Sequence, residues 1–289
     1  MAVRQQVTGR VLTVTIDNPE TRNAFDQATM AELRDLFENL AYREPLPAKP
    51  ADELDIGPNG SHRPHAVVLR SGGDVFCAGA HLGEMKASGE ADFEQNLAAS
   101  LAMGAMFRAV RNCPAPVVAR VQGPAYGGGV GLVAACDVVV AGMDAKFAFS
   151  EVRLGLVPGV ISPLVIGRIG AAAARRLFLT GETVEIEEAL RLGLVDRLAG
   201  TKQAGAAVET VVRGILKGGP AALGRVKSLV EGALSLGFDR SADFAARAIA
   251  EARAQAEGQK ALEAFLDRQP APWTVGDDWP GLPAIDEES

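Results

Sequence analysis

A chain of 289 residues can bury a full hydrophobic core, and its 48% hydrophobic and 22% charged residues are ordinary for a soluble globular protein. Its formal net charge of −7, from 36 acidic and 29 basic side chains, argues against a nucleic-acid partner, because phosphate binding requires a basic face. Three cysteines, Cys77, Cys113 and Cys136, form no CxxC pair and no His-rich ligand set, which argues against a disulfide framework and a metal site and points to a reducing cytoplasm.

The first sixteen residues alternate polar and apolar side chains, predicting a hairpin with strands over 3–7 and 10–16 joined at Thr8-Gly9. They hold no signal-type apolar core, and no later apolar run reaches the roughly 18 residues of a membrane span, so no membrane partner is expected. Asp17-Asn18-Pro19 is a turn signal. Asp26 is placed to cap a helix whose apolar stripe is Met30, Leu33, Leu36, Phe37 and Leu40. Residues 43–64 carry five prolines and almost no periodicity, which predicts an insertion that folding can dispense with. His62 and His65, at and beside its end, are expected on the surface.

An apolar run over 66–70 predicts an interior strand ended by Ser71-Gly72-Gly73. Residues 74–82, DVFCAGAHL, then form a tight turn of small residues where backbone could approach a ligand closely. Cys77 and His81 share this loop, but a shared loop does not supply the geometry of a nucleophile and its base. A long helix is predicted over 92–111, carrying Leu97, Leu101, Met106 and Val110 and ending before Cys113-Pro114.

The most informative stretch is 115–156. A β-branched run over 117–121 predicts a buried strand, Gly123-Pro124 breaks it, and Gly127-Gly128-Gly129 opens an apolar helix over 130–136. Unpaired N–H groups at that helix start, reinforced by the helix dipole, suit an anion or an oxygen that becomes anionic during a reaction. Phe147-Ala148-Phe149-Ser150 is strand-like, and Glu151 stands at its end among Phe147, Phe149, Val152 and Leu154. Such a carboxylate is either paired, with Arg153 the nearest cation in sequence, or kept for chemistry with a raised pKa. Gly129-Val-Gly131-Leu-Val-Ala134 also matches a dinucleotide fingerprint. That pattern belongs to the first βαβ unit of a domain, whereas here more than a hundred residues precede it.

Pro158-Gly159 closes the next segment, and Ser162-Pro163 opens a helix through Ile169, followed by short helices over 171–179 and 186–192 and a strand over 194–198. Helices are predicted at roughly 203–216, 220–235, 238–256 and 258–268. The tail from Pro270, acidic and carrying Trp273 and Trp279, is expected to be poorly ordered without a partner.

In this order, IDNPETRNAF (16–25), DVFCAGAHL (74–82), VQGPAYGGGVGLVAACDVVVA (121–141), FAFSEVRLGLVPG (147–159) and EGQKALEAFLDRQPAPW (257–273) resemble the crotonase family of enoyl-CoA hydratases and isomerases. The resemblance implies an α/β fold, a spiral of ββα units with a C-terminal helical region, assembled as homotrimers that pair into hexamers. It implies an acyl-CoA core over 1–200 containing the 43–64 insertion, a helical trimerisation region over 201–269 and an acidic tail over 270–289. By the same resemblance an acyl-CoA thioester is the substrate, its carbonyl oxygen held by the backbone N–H groups of Ala80 and Gly128. Loop 78–82 would meet the adenine end of CoA and Arg22 its phosphates. Ala24, Ala78, His81, Leu82, Tyr126, Gly127, Gly131, Pro158 and Gly159 complete the implied binding set. No cofactor is implied beyond the CoA carried by the substrate.

Hydratases of this type generally use two glutamates. This chain keeps one as Glu151 and has Gly131 at the other position. A single carboxylate can shuttle a proton between C2 and C4, as the family's Δ3,Δ2-isomerases do, while hydration also needs a held water. The stretch 150–182 looks closer to the methylglutaconyl- and isohexenylglutaconyl-CoA hydratase branch, some members of which also lack the first glutamate. The expected activity is therefore hydration or dehydration of a branched enoyl-CoA, with carboxylated acyl groups included. The alternatives are isomerisation, other crotonase chemistry, or an inactive paralogue, against which the retained Glu151 counts. RNA binding, found in one relative of that branch, is disfavoured by the acidic balance.

Overall fold

The computed structural model describes residues 2–42, 44–45, 60, 62–200, 203–274 and 279–284. The N-terminal alternation becomes β1 (Val3–Thr8) and β2 (Val11–Ile16), an antiparallel hairpin in register from Val3↔Ile16 to Thr8↔Val11. Helix α1 (Gln27–Ala41) starts at Asp26, whose carboxylate accepts the Thr29 N–H at 2.7 Å, and it buries the whole predicted stripe. The two ends of the insertion differ from the expected loop: β3 (Glu44–Pro45) pairs in parallel with β4 (His62–Arg63). Residues 46–59 and 61 lie outside the described residues.

Next come β5 (Ala66–Ser71), α2 (Leu82–Glu90) and α3 (Phe93–Arg111), the last opened by a capping box between Asp92 and Gln95. The central stretch folds as β6 (Val117–Val121), β7 (Ala125–Tyr126), α4 (Gly128–Ala135), β8 (Val138–Gly142) and β9 (Phe147–Ala148). Glu151 lies not in a strand but in a 3-10 turn, Ser150–Leu154. Helix α5 (Ser162–Thr180) is broken at Gly170, where φ is 76°, so the two predicted helices are one interrupted element ending on the left-handed Gly181. After β10 (Thr183–Val184) and α6 (Ile186–Leu192) come β11 (Arg197–Ala199) and α7 (Ala204–Ile215), α8 (Pro220–Ser235), α9 (Phe238–Ala254) and α10 (Ala256–Leu266).

The large sheet runs β1-β2-β5-β6-β8-β11, antiparallel only at the first pair. The small sheet runs β10-β9-β7 and is continued by two isolated parallel bridges, Cys77↔Ala125 and Phe25↔Ala80. Each turn of chain thus adds a long strand, a short bridging strand and a helix, because parallel neighbours need a crossover. This is the ββα spiral expected from the resemblance. The large sheet's order never reverses among the described residues, so no switch point of a dinucleotide fold exists, and the fingerprint at 129–134 lies in another setting.

Both faces of the large sheet are covered. Side chains alternate clearly in β2, where Leu12, Val14 and Ile16 join the inner core with Phe25, Phe37, Phe107 and Phe147. Val11, with Val68, Val118 and Val140, faces outward against Val208 and Val212 of α7. Trp279 closes this outer cluster at 3% exposure, with the Arg213 guanidinium 5.2 Å from its ring centre. Arg70 donates to the carbonyls of Pro283 (2.7 Å) and Ala284 (3.2 Å), and Glu209 accepts the Leu282 N–H at 3.0 Å. The described part of the tail is therefore docked, contrary to expectation, because the outer sheet face offers apolar surface against which Trp279 and Leu282 pack.

His65 is a second correction. It is 2% exposed, packed at the start of β5 with its N–H donating to the Arg10 carbonyl at 2.9 Å. Burial, and then the charges of Arg10 and Arg63, push its pKa down to about 3, so the imidazole stays neutral. Helices α8–α10 attach by polar contacts: Lys227 Nζ pairs with Asp137 Oδ2 at 2.6 Å, and Glu257 accepts the Ala221 and Ala222 N–H groups at 2.9 Å each. Their apolar residues Leu234, Phe238, Phe265 and Leu266 stay exposed.

Candidate active site

Two loops meet at the small sheet. Gly79 and Gly127 take left-handed φ values of 90° and 48°, which side-chain-bearing residues rarely adopt. A Cβ on Gly79 would lie 2.8 Å from the Tyr126 carbonyl oxygen and 3.7 Å from the Gly128 nitrogen. The loops carrying Ala80 and Gly128 are thus in direct contact. Phe25 donates to the Gly79 carbonyl (2.8 Å) and accepts from His81 (2.9 Å), which uses the groups on either side of Ala80 and leaves Ala80's own N–H facing away from that bridge. Gly128 is the first residue of α4. Among the described residues neither the Ala80 nor the Gly128 N–H has a hydrogen-bond acceptor.

Glu151 stands beside this junction. Its Oε1 lies 3.1 Å from where a Cβ on Gly127 would be, and its Oε2 is buried without a hydrogen-bond partner among the described residues. Burial raises the carboxyl above the ordinary glutamate value. Arg153 is not its partner: no ion pair joins them among the described residues, and the Arg153 Nε packs instead 3.2 Å from the Cβ position of Gly181. Of the expected apolar neighbours, Phe147 and Phe149 are fully buried, but Val152 and Leu154 are 40% and 59% exposed. The 3-10 turn directs successive side chains to different sides, so these two point outward.

One turn along α4 from Gly127, Gly131 shares its face. A Cβ there would fall 2.3 Å from Ile161 Cγ2 and 3.0 Å from Phe107 Cζ, so apolar side chains occupy the place where a second carboxylate would have to enter. The Phe107 ring stacks edge-on against Phe25, with centroids 6.4 Å apart, and Phe25 lies 3.4 Å from the Cβ position of Gly128. Sequence reasoning did not single out Phe107 or Ile161 for the site. They lie 20 or more residues from the glycine loop, and only the aromatic and β-branched residue types hint at a wall.

The other expected binding residues divide. Exposed Arg22, in a left-handed conformation (φ 54°), offers its carbonyl to the Ala78 N–H at 3.0 Å, which brings Arg22 and loop 78–82 together. His81 caps α2, its Nδ1 accepting the Gly83 N–H at 3.1 Å, and Leu82 opens that helix. Tyr126 donates from its backbone to the Cys77 carbonyl at 2.9 Å. Pro158 is half-buried and Gly159 exposed, with the Gly159 carbonyl accepting the Ser162 hydroxyl at 2.8 Å. Ala24 and Gly131 are buried, so neither presents a side chain to solvent. Cys77 is buried beneath the junction with its thiol pushed up to about 12, which removes it as a thiolate nucleophile. Among the described residues no cluster of three His, Cys, Asp or Glu side chains could hold a metal, and no helix is long and apolar enough to cross a membrane.

Two uncommitted N–H groups beside an unpaired, pKa-raised carboxylate suit proton transfer next to a carbonyl. The family model described as enoyl-CoA hydratase/isomerase matches residues 59–276. The chain belongs to the enoyl-CoA hydratase/isomerase family. A Thermus thermophilus protein named for enoyl-CoA hydratases is 32% identical over 91% of this chain and 96% of its own length. A crotonyl-CoA hydratase of Syntrophomonas wolfei is 29% identical over 89% of this chain and 91% of its own length. The crystal structure of an enoyl-CoA hydratase from Shewanella pealeana superposes with a TM-score of 0.84 at 29% identity, covering 94% of this chain and 95% of that one. The structure of Pseudomonas aeruginosa AtuE gives 0.83 at 31% identity, covering 94% and 99%. The family assignment accounts for the acyl-CoA substrate class and for the mixed α/β fold with its C-terminal helices.

Proposed function

We propose that the chain hydrates and dehydrates enoyl-CoA thioesters, with Glu151 giving and taking the proton at the α-carbon. The observation that carries this reading is the buried, unpartnered Oε2 of Glu151 beside the N-terminal loop of α4. The N–H groups of Ala80 and Gly128 hold the thioester oxygen as it becomes an enolate. A preorganised donor of this kind is worth about 3–4 kcal/mol in a dry site. Burial brings the Glu151 carboxyl toward the working pH, where one group serves as both acid and base. Arg22 and loop 78–82 are adjacent and take the CoA moiety. A panel of enoyl-CoA thioesters, followed by loss of conjugated thioester absorbance, tests this; no turnover of any member would overturn it.

Isomerisation is the second reading, favoured by Ile161 and Phe107 in front of Gly131, which leave one carboxylate for the chemistry. A β,γ-enoyl substrate included in the panel separates the two, because an isomerase generates conjugated absorbance where a hydratase removes it. The finer proposal, a branched glutaconyl-type acyl group, draws only on the sequence likeness of 150–182 and is checked by 3-methylglutaconyl-CoA in the same panel.

We further propose that 1–200 forms the acyl-CoA core and 201–269 an assembly region for homotrimers or their hexamers. Exposed Leu234, Phe238, Phe265 and Leu266 support this, since a second and third copy would bury them. Light scattering that finds a monomer at micromolar concentration would contradict it.

A further inference from the structure

The outer face of the large sheet carries a row of arginines. Laterally adjacent residues of neighbouring strands share a face, and the register lines up Arg4, Thr15, Arg70, Arg120, Val140 and Arg197 across β1, β2, β5, β6, β8 and β11. Within this row Arg70 and Arg120 stand one step beyond the Leu69↔Ala119 pair. Val140 belongs to the outer cluster with Val118, which fixes the face. The row therefore holds four cations and no acid. Like charges on neighbouring strands repel. Burial lowers the Arg120 pKa, and the Arg120 Nε is sealed from solvent with no hydrogen-bond partner among the described residues.

At the β1 end of this row lies a cavity of about 200 Å³, lined by Arg4, Gln5, Gln6, Thr15, Arg70 and Ala284. Its wall offers two guanidinium groups and no carboxylate. Arg4 reaches Asp17 at 2.8 Å, outside the lining. Arg70, 4% exposed, donates to the Thr15 hydroxyl at 3.0 Å besides the Pro283 and Ala284 carbonyls. These are not the only contacts of either arginine. The strap from Trp279 to Ala284 thus crosses the outer face and arrives at the cavity wall. The sequence continues with IDEES over 285–289, which lie outside the described residues.

We propose that this cavity is the docking site of the chain's own acidic segment, with the carboxylates of Asp286, Glu287 and Glu288 taken by Arg4 and Arg70. Charge complementarity and reach both favour that occupant. An extended chain covers about 3.3–3.6 Å per residue, so the three acids fall within about 7–14 Å of Ala284. Arg4 and Arg70 are two strand spacings apart, about 10 Å. A guanidinium fork accepts a carboxylate through two parallel N–H···O bonds, and the pairing offsets the cost of holding a charge as deep as that of Arg70. Arg120, beside Arg70, adds to the positive potential that draws the segment in. The acids then act as a clasp that holds the strap, and with it Trp279, against the sheet.

Hydrogen exchange over 279–284, read by mass spectrometry, tests the clasp. Asp286→Asn, Glu287→Gln and Glu288→Gln combined keep the segment's shape and remove its charge. At low ionic strength this triple variant should exchange at least about threefold faster than wild type, as for the loss of several ion pairs. About 0.5 M NaCl should bring wild type to the variant's rate, because the pairs are then screened. Arg70→Gln would loosen the strap merely by losing its carbonyl bonds, so Arg4→Gln, at a 44% exposed side chain, is the informative partner substitution. In that background the three tail substitutions should have at most about half their effect. Unchanged exchange in the triple variant, or an equal increase in the Arg4→Gln background, would overturn the inference. So would saturable thermal stabilisation of wild type by inorganic phosphate at constant ionic strength, which would assign the cavity to a free anion.

Discussion

The junction of loops 77–81 and 126–131 and the C-terminal third use polarity in opposite ways. At the junction apolar groups are buried, and it is polar atoms that lack partners among the described residues: the Ala80 and Gly128 N–H groups and Oε2 of Glu151. In α8–α10 several polar groups are matched, Lys227 with Asp137, Arg111 with Glu231 and Glu257 with an α8 helix start, while Leu234, Phe238, Phe265 and Leu266 are exposed. A buried polar atom without a partner is costly, so its persistence points to chemistry. An exposed apolar face is also costly, but its natural complement is another surface. One region is thus arranged to act on a ligand and the other to be packed against.

If that contrast holds, substitutions in the two regions should separate activity from stability. The largest effect belongs to Glu151→Gln, which keeps the shape and removes the titratable group. It should lower kcat by about 10²–10⁴-fold with acyl-CoA affinity nearly intact. It should not destabilise the fold. A carboxyl whose folded pKa is raised contributes stability below its unfolded pKa that is lost as pH rises through the folded value, so the Gln variant should match or exceed wild-type thermal stability on the alkaline side. A variant that loses melting temperature but keeps turnover would show that Glu151 is structural.

Trp279→Ala should do the converse. Removing the ring that closes the outer cluster should cost about 3–5 kcal/mol of stability in denaturant titration, while kcat per folded molecule is retained. A smaller change would mean that the tail adds little to the sheet.

His65 sharpens the comparison through pH, as a buried group without a role at the junction. Its folded pKa, about 3, lies below the unfolded histidine value, so folding binds fewer protons. Stability is therefore complete above about pH 6.5 and falls as pH drops toward 3, by at most about 1.4 kcal/mol per pH unit. His65→Gln should flatten that slope, and an unchanged slope would assign acid sensitivity to other groups. The smallest effect is expected from replacing 46–59 with a Gly/Ser linker of equal length. The parallel pairing of β3 with β4 rules out a short join, and melting temperature should shift by no more than about 2 °C. Insoluble protein would show that the insertion is part of the fold.

Much of this architecture was legible in the sequence, wherever a local rule governs. Asp26 followed by its apolar stripe defines α1, and Gly193 ends α6 in the left-handed conformation that glycine permits. Glu151 stands out because a charge follows an apolar strand, and its raised pKa agrees with that placement. What escaped depends on contacts distant in sequence. Ile161 fills the space at Gly131 from 30 residues away, and Trp279 completes a cluster begun by Val11. His65 looks like a loop histidine until β5 carries it inside. Helix α2 has little apolar periodicity, and the short β3–β4 pairing depends on two segments separated by the insertion, so neither announces itself locally.

The central claim, that Glu151 exchanges a proton at the α-carbon of a thioester held by Ala80 and Gly128, can be tested without knowing the natural acyl group. Butyryl-CoA incubated with the protein in D₂O can be followed by loss of its C2 proton signal in NMR. Wild-type protein should catalyse stereospecific exchange, and Glu151→Gln should reduce it at least about a hundredfold. Equal exchange by the two proteins would contradict the claim.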